Sequence, residues 1–242
     1  MKPFSTPPFS PSLIAALRDL GIHCLADLQK RTPITAFLLL KASGYTYTNS
    51  VLWQLMAFCE QKNAQDLSEA EKNAALLAIK NHMPVAVFPP EHEQQHFMQE
   101  ALKQAKLAAE QGEVPVGAVV VRNGEIIAAA HNLCVSQHDI SAHAEMRALV
   151  AAGKVLQNYR LSDCDVYITL EPCAMCASAL LQARVKRVIF GAYETKTGAA
   201  GSVLNLFANK QLNQHTAILG GVHENECQSV LQDFFQAKRG QK

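Results

Sequence analysis

The spacing of apolar residues predicts that the first third of the chain is helical. Over residues 11–82, apolar side chains recur every three or four positions, as in Leu13, Leu17 and Leu20, which is the period of an amphipathic helix. Cap residues and glycines divide this region into five predicted helices, near 11–20, 25–29, 33–42, 49–59 and 69–80. Residues 1–10 are rich in Pro and Ser, so we expect them to be loose.

From residue 91 the pattern changes to alternating helical and extended periods. Strand-like apolar runs lie at 116–121, 126–130, 166–170, 188–190 and 217–219. Helical periods lie at 97–108, around 143–145, at 174–183, near 203–208 and at 224–237. The dipeptide Asn123-Gly124 between the first two strands is a strong hairpin signal. This alternation predicts an α/β fold, a three-layer sandwich in which a mixed five-stranded sheet has helices on both faces.

A proline-rich stretch, Met83-Pro-Val-Ala-Val-Phe-Pro-Pro90, separates the two patterns and is typical of a linker. We therefore predict an all-helical domain at 1–83, a linker at 84–90 and an α/β domain at 91–242. A chain of 242 residues is long enough for two domains that each bury a core.

Composition narrows the class of protein without giving its function. Apolar residues make up 49% of the chain, which is typical of a globular protein and excludes a disordered one. The net charge of +1 argues neither for nor against a nucleic-acid partner, so any such contact must be a local patch. No apolar run is long enough to cross a membrane, and no secretory signal is evident. We therefore expect a cytoplasmic protein with reduced cysteines.

Two short stretches, Ala142-His-Ala-Glu145 and Glu171-Pro-Cys-Ala-Met-Cys176, carry groups that bind metals. Tetrahedral zinc takes Cys sulfur and His nitrogen, with four protein ligands in a structural site and three plus water in a catalytic one. Three such ligands are present here: His143, Cys173 and Cys176. The sequence therefore predicts one catalytic zinc ion per subunit, with Glu145 beside it as the group that moves protons.

The spacing of these residues suits the starts of two helices. Cys173 and Cys176 are three apart and share one face of a helix, and Pro172 is a helix-start signal. The positive end of the helix dipole favours the thiolate, which is the form that binds zinc. His143 and Glu145 are two apart and would not face each other in mid-helix, so we expect them at a first turn.

The chain contains the combined pattern His-x-Glu…Pro-Cys-x-x-Cys, which is an established signature of zinc-dependent nucleobase deaminases. Two other functions remain open. A free-base or nucleotide deaminase, of guanine or cytosine type, would share the zinc motif. A non-enzymatic zinc-binding adaptor would need a fourth protein ligand, for which Cys164 or Cys134 is the candidate.

Further motifs resemble those of the bacterial tRNA-specific adenosine deaminases over about residues 91–240. They are Glu113-Val-Pro-Val-Gly-Ala118, Thr169-Leu-Glu-Pro-Cys-Ala-Met-Cys-Ala177, Arg187-Val-Ile-Phe-Gly-Ala192 and Lys196-Thr-Gly-Ala-Ala-Gly-Ser202. The last segment is the most specific, because the zinc motif alone is shared with other deaminases. The resemblance implies a cytidine-deaminase-like fold, a homodimer, and conversion of the wobble adenosine in a tRNA anticodon stem-loop to inosine.

The resemblance also implies contacts with the substrate. Asn132 matches the residue that hydrogen-bonds the flipped base, and Ala142 would lie against that base. Glu194 stands where the family often has Asp near the ribose, and it is one methylene longer. Leu133-Cys134 and Tyr193 depart from commoner basic residues of the family, so contacts with the RNA backbone are expected to differ.

Residues 11–82 resemble the C-terminal domain of the TfoX family, and Leu17-x-x-Leu-Gly-Ile22 resembles a helix–hairpin–helix unit. Such hairpins often bind phosphate backbones through basic residues, but this hairpin has no Lys or Arg between Gly21 and Cys24. A protein-contact role and an RNA-contact role are both left open for this region. Six basic residues could form an RNA-facing patch or a solvated surface: Arg184, Lys186, Arg187, Lys238, Arg239 and Lys242.

Overall fold

The computed structural model describes residues 3–82, 85–209, 211–212 and 216–239. The chain divides into two compact units, 1–87 and 88–242. The expected linker at 84–90 spans this division, Met83 and Pro84 lie outside the described residues, and the predicted domain boundaries stay a prediction. Among the helices in the described ranges, none is long and apolar enough to cross a membrane.

The first unit contains the five predicted helices. They are α1 (Pro11–Asp19), α2 (Leu25–Arg31), α3 (Pro33–Ala42), α4 (Asn49–Cys59) and α5 (Glu69–Asn81). Their starts follow from local hydrogen bonds: the Ser10 Oγ accepts from the Leu13 N–H at 3.2 Å, and Ser68 and Glu71 form a capping box. Their apolar stripes meet in one core.

The N-terminal segment has an irregular backbone, but the expectation that it is loose is wrong. Within the described part of residues 1–10, Phe4 and Phe9 are buried and pack against Phe58, with ring centroids 5.5 and 4.9 Å from it. Burial of two aromatic rings outweighs the effect of the Pro- and Ser-rich composition, because each ring removes a large apolar area from water. The segment is therefore part of the core of this unit.

The second unit is a mixed five-stranded sheet with helices on both faces, as predicted. Its elements are α6 (Glu91–Glu110), β1 (Gly117–Arg122), β2 (Glu125–His131), α7 (Cys134–Gln137), α8 (Ala144–Leu156), β3 (Cys164–Leu170), α9 (Ala174–Gln182), β4 (Arg187–Ala192), β5 (Ala217–Leu219) and α10 (Glu224–Arg239). The strand order is β2-β1-β3-β4-β5; β1 is antiparallel to its neighbours, and β3, β4 and β5 are parallel. Asn123 and Gly124 have positive φ in the predicted hairpin turn.

Successive side chains of the central strand enter two different core layers. Val166 of β3 belongs to the layer that contains Ala148 of α8 and Leu180 of α9. The next residue, Tyr167, lies in the opposite layer, where its ring is 5.3 Å from that of Phe97 in α6. The sheet is thus covered on both faces, and the starts of α8 and α9 lie on the same side of it.

The helix predicted near 203–208 is wrong, since the described residues there form turns. The backbone donors of this segment bond to an earlier loop and do not form a helical ladder. The Leu204 N–H donates to the Gly198 carbonyl at 3.2 Å, and the Leu206 N–H donates to the Ala199 carbonyl at 3.0 Å. These longer-range bonds fix the segment against residues that precede it by six or seven positions, which a local apolar pattern does not indicate.

We expect a fragment that starts at Phe88 to fold without the first unit. Phe88 packs against the core layer that contains α6, and both core layers consist of residues after position 88. Units with their own core usually fold alone. Thermal unfolding followed by circular dichroism should give one cooperative transition for residues 88–242. A fragment 91–242, which lacks Phe88, is the control and should melt at a lower temperature; an uncooperative transition for 88–242 would contradict the boundary.

Candidate metal centre and active site

The candidate site is built at the starts of α8 and α9. His143 is the N-cap residue of α8, and Cys173 is the N-cap residue of α9. Cys176 lies in the first turn of α9 and is fully buried. Because β3 ends at Leu170, only three residues separate the end of a buried strand from the start of the α9 helix. The predicted placement of both motifs at helix starts is confirmed.

The three predicted ligands lie close enough to hold one metal ion. The His143 Nδ1 atom is 3.8 Å from the Cys173 Sγ atom and 3.5 Å from the Cys176 Sγ atom. All three candidate ligand atoms lie within 4.8 Å of one another. Two ligands of a tetrahedral zinc ion, one nitrogen and one sulfur, should be about 3.6 Å apart, so this donor set fits zinc.

The pKa values of the three candidate ligands are shifted in different directions. Hydrogen bonds from Cys176 and His143 lower the pKa of the Cys173 thiol to about 3. The hydrogen bond to Cys173, together with burial, raises the pKa of the Cys176 thiol, and the bond to Cys173 raises the pKa of His143. One thiolate is thus stabilised within the group, and a bound cation would stabilise the second.

Glu145 lies next to this group and has a free oxygen. Its side chain is buried, with 3% of the residue exposed, and its Oε2 atom has no hydrogen-bond partner among the described residues. Burial raises the pKa of the Glu145 carboxyl above its ordinary value, and the charges of His143 and Cys173 also act on it. A buried carboxyl group with an unpartnered oxygen can accept and return a proton.

A fourth protein ligand is not found in the described part of the chain. The metal-binding group contains His143, Cys173 and Cys176, and neither Cys134 nor Cys164 belongs to it. Burial raises the pKa of both of these thiols, which favours the neutral form that does not bind metals. The donor set therefore resembles a catalytic zinc site more than a structural one.

Asn132 and Ala142 lie beside the start of α8, where their hydrogen bonds hold the chain that precedes this helix. The Asn132 Oδ1 atom accepts from the Ala144 N–H at 2.8 Å, which leaves the Asn132 amide nitrogen as the donor for a ligand. The Ala142 carbonyl accepts from the Leu133 N–H at 3.0 Å, and the Ala142 N–H donates to Asp139 at 3.1 Å. The expected contacts of both residues with a base stay predictions.

Glu194 is held within its own turn. Its Oε1 atom accepts from the Lys196 N–H at 2.8 Å, and its backbone N–H donates to Glu171 at 3.1 Å. A contact with a ribose would therefore have to share the Glu194 carboxylate with the turn, and the predicted contact remains untested.

Two buried carboxylates near the site have functions that the sequence reading did not assign. Glu113 accepts from the Val135 and Ser136 N–H groups at 2.9 and 2.7 Å, and so caps the short helix α7 that follows Asn132. Glu171 binds the segment that contains Glu194. Both glutamates belong to the motifs quoted above, so their positions were visible in the sequence, but their partners were not.

The proposed basic patch is smaller than its sequence suggests. Arg187 is largely buried and forms an ion pair with Asp165, its register partner on β3. Lys238 donates to the Gly112 carbonyl at 3.1 Å and lies 4.6 Å from the centre of the Phe234 ring. Lys242 lies outside the described residues. Arg239 likewise donates to the Phe235 carbonyl at 3.2 Å. Arg184 and Lys186 remain as candidates for contacts with RNA.

Both parts of the chain match the models of known protein families. The model of the MafB19-like deaminase family matches residues 92–239, and the model of the TfoX C-terminal domain matches residues 7–79. A tRNA-specific adenosine deaminase from Bacillus subtilis is 47% identical over 146 residues, which are 60% of this chain and 91% of that protein. A protein of the same name from Haemophilus influenzae is 45% identical over 147 residues, which are 60% of this chain and 85% of that protein.

Solved structures show the same fold. One of them comes from a study of A-to-I editing by tRNA:A34 deaminases at the wobble position of transfer RNA. It matches this chain with a TM-score of 0.55 and 39% identity, and the match covers 56% of this chain and 99% of the solved chain. A second, in complex with 2,6-diaminopurine, has a TM-score of 0.51 at 24% identity, covers 58% of this chain and 80% of that one, and supports the fold alone. By the extent of the family match and the coverage of these relatives, the chain belongs to the MafB19-like deaminase family, with a TfoX C-terminal domain preceding the deaminase domain.

Proposed function

We propose that this protein is a zinc-dependent hydrolytic deaminase that converts the wobble adenosine of a tRNA anticodon to inosine. The observation that supports the chemistry is the group of three side chains that could hold a metal ion next to Glu145, whose Oε2 atom is unpartnered among the described residues. The names of the relatives supply the substrate, since two of them are called tRNA-specific adenosine deaminase and share 47% and 45% identity with this chain.

His143, Cys173 and Cys176 would hold one zinc ion per subunit. When bound, zinc lowers the pKa of a water molecule towards neutrality and makes that water a nucleophile. Three protein ligands leave one coordination position for a non-protein ligand, which is the arrangement of catalytic zinc sites.

Glu145 moves the protons of the reaction. Its carboxylate accepts a proton from the attacking water and passes it to N1 of adenine, so that C6 becomes electrophilic. As the water oxygen bonds to C6, Glu145 takes the second proton from that oxygen and delivers it to the amino group. The C6–N bond then breaks, ammonia leaves, and C6 carries the carbonyl oxygen of hypoxanthine. The raised pKa of Glu145 suits this exchange, because a group that both accepts and returns protons works best near the operating pH.

The chain's own residues bind and orient the base. A base inside a stacked helix cannot reach a buried site, so the substrate nucleotide must be extruded from a single-stranded loop. The Asn132 amide, whose oxygen is fixed by the Ala144 N–H, donates to the base, and the Ala142 methyl group lies against the ring. Glu194 is proposed to contact the ribose while its carboxylate supports its own turn.

We further propose a homodimer that forms through α8 and α9. A groove of about 730 Å³ between these helices is lined by Met146, Val150 and Tyr159, and Val150 and Tyr159 are 57% and 70% exposed. Exposed apolar groups around a groove mark interaction surfaces, and a second copy is the partner that the family resemblance implies. Light scattering that gives the mass of a single chain would contradict the homodimer.

Because the proposed substrate is a tRNA, we place the protein in the cytoplasm.

The substrate is tested with tRNA transcripts that differ at the wobble position. We expect inosine to form in a transcript with wobble adenosine and not in the matched transcript with wobble guanosine. Free adenosine, guanine and cytosine serve as competing substrates in the same assay, read out by chromatography of the bases. Faster deamination of free guanine or cytosine than of the tRNA would instead support a free-base deaminase.

A further inference from the structure

Glu171 is a buried carboxylate that the proposed reaction does not use. It lies between the end of β3 and the α9 cap residue Cys173, and only 2% of its surface is exposed. A charge buried without partners is very unfavourable, so its hydrogen bonds should show why a carboxylate stands here.

Both oxygens of Glu171 accept hydrogen bonds from one segment, residues 194–202. The Oε1 atom accepts from the Ala200 N–H at 2.8 Å and from the Ser202 N–H at 3.0 Å. The Oε2 atom accepts from the Glu194 N–H at 3.1 Å and from the Ser202 hydroxyl. Hydrogen bonds to an ionised acceptor are stronger than neutral ones, and four of them gather three separate positions of this segment around one side chain.

The same segment contacts the loop that carries the first thiol ligand. Gly198 forms a backbone bridge with Cys173, and the Ala199 N–H donates to the Pro172 carbonyl at 2.8 Å. A Cβ atom at Gly198 would lie 2.6 Å from the Glu171 Oε2 atom, so this approach requires glycine. Glu171 therefore lies between the metal-ligating loop and residues 194–202.

We propose that Glu171 is a positioning residue that holds residues 194–202 as a preformed wall of the site for the nucleotides around the target adenosine. This rests on the proposed function, because the wall contains Glu194 and begins beside Tyr193. Tyr193 is 47% exposed, and its ring is 5.1 Å from that of Phe190. Without the carboxylate, three backbone N–H groups lose their acceptor and the segment must reorder whenever RNA binds.

Glu171→Gln is the principal test. The glutamine keeps the size of the side chain but turns one of the two acceptor oxygens into an N–H₂ donor, which faces donors. We expect the KM for tRNA to rise by about tenfold or more while kcat at saturating tRNA changes by less than about threefold, because the loss falls on binding. Zinc content should stay at one ion per chain.

Amide hydrogen exchange gives a readout that does not depend on activity. In Glu171→Gln the amides of Glu194, Ala200 and Ser202 should exchange faster than in the wild type. The amides of Val135 and Ser136, which another buried carboxylate caps, are the internal control and should keep their protection. Unchanged exchange at 194–202 would overturn the proposal.

A second variant covers the case in which Glu171→Gln does not fold. Ser202→Ala removes one of the four donors at an exposed residue and leaves the backbone donors in place. It should fold and raise the KM for tRNA by about threefold, an intermediate effect; a wild-type KM in this variant would contradict the proposal. If the wild type itself does not deaminate tRNA, the proposed function fails, whereas a wild-type KM in a folded Glu171→Gln would make only the positioning role wrong.

Discussion

Replacing Glu145 by Gln is expected to lower kcat for tRNA by about 10²–10⁴-fold or more, because general acid–base groups typically contribute this much and Glu145 serves several proton transfers. Glutamine has the same shape as glutamate, and the three candidate zinc ligands are placed by the starts of α8 and α9. Its amide can neither accept the proton of the attacking water nor return one to the leaving amino group. The fold and the zinc content should therefore stay unchanged.

The measurement is single-turnover deamination of a wobble-adenosine tRNA, combined with metal analysis and a thermal melt of the same preparation. Glu125→Gln is a matched control, since Glu125 is an exposed glutamate at the start of β2 and takes no part in the site. The control should turn over at the wild-type rate. If Glu145→Gln also retained nearly full turnover with one zinc ion per chain, another group would have to be the proton carrier.

The parts of the site that the sequence predicted correctly depend on short-range signals. His143 and Cys173 are the N-cap residues of α8 and α9, and a cap position depends on residues within one helical turn of it. The i, i+3 spacing of Cys173 and Cys176 fixes their relative placement once α9 starts at Ala174. Sequence spacing thus determined each half of the metal-binding group, and the sheet brought the two halves together.

The parts that were missed depend on contacts between distant positions. Glu113 and Glu171 bind backbone groups that lie more than twenty residues further along the chain. A backbone N–H donor has no side-chain signature, so the sequence showed two glutamates in motifs without showing what they bind. For the same reason the segment 203–208, whose donors bond to a preceding loop, was predicted as a helix.

Charge alone was also a poor guide to surfaces. Arg187 was counted with Arg184 and Lys186 in a basic cluster that could face RNA or solvent, but it pairs with Asp165 across the parallel β3–β4 register. Strand register is set by the packing of the sheet faces, which the positions of charged residues do not reveal. The burial of Phe4 and Phe9 in a Pro- and Ser-rich segment is a similar case, in which tertiary packing overrode local composition.

Replacing Cys176 by Ser is expected to weaken zinc binding by more than about 100-fold. Changes to groups that only support metal ligands typically cost 10–100-fold in affinity, and Cys176 is one of the three candidate ligands themselves. The serine hydroxyl is of similar size but stays protonated near neutral pH, so it supplies no anionic donor. Because Cys176 is fully buried, a larger side chain would disturb α9, and serine separates the loss of the ligand from a loss of packing.

Metal analysis after dialysis against a chelator should find one zinc ion per wild-type chain and almost none in Cys176→Ser. Cys134→Ser is the matched control, because Cys134 lies outside the three-residue group in the described structure and was a candidate fourth ligand. It should retain a full zinc ion and unchanged metal–sulfur coordination by X-ray absorption. Loss of zinc in Cys134→Ser, or coordination of wild-type zinc by four protein atoms, would indicate a closed structural site and contradict the three-ligand catalytic centre.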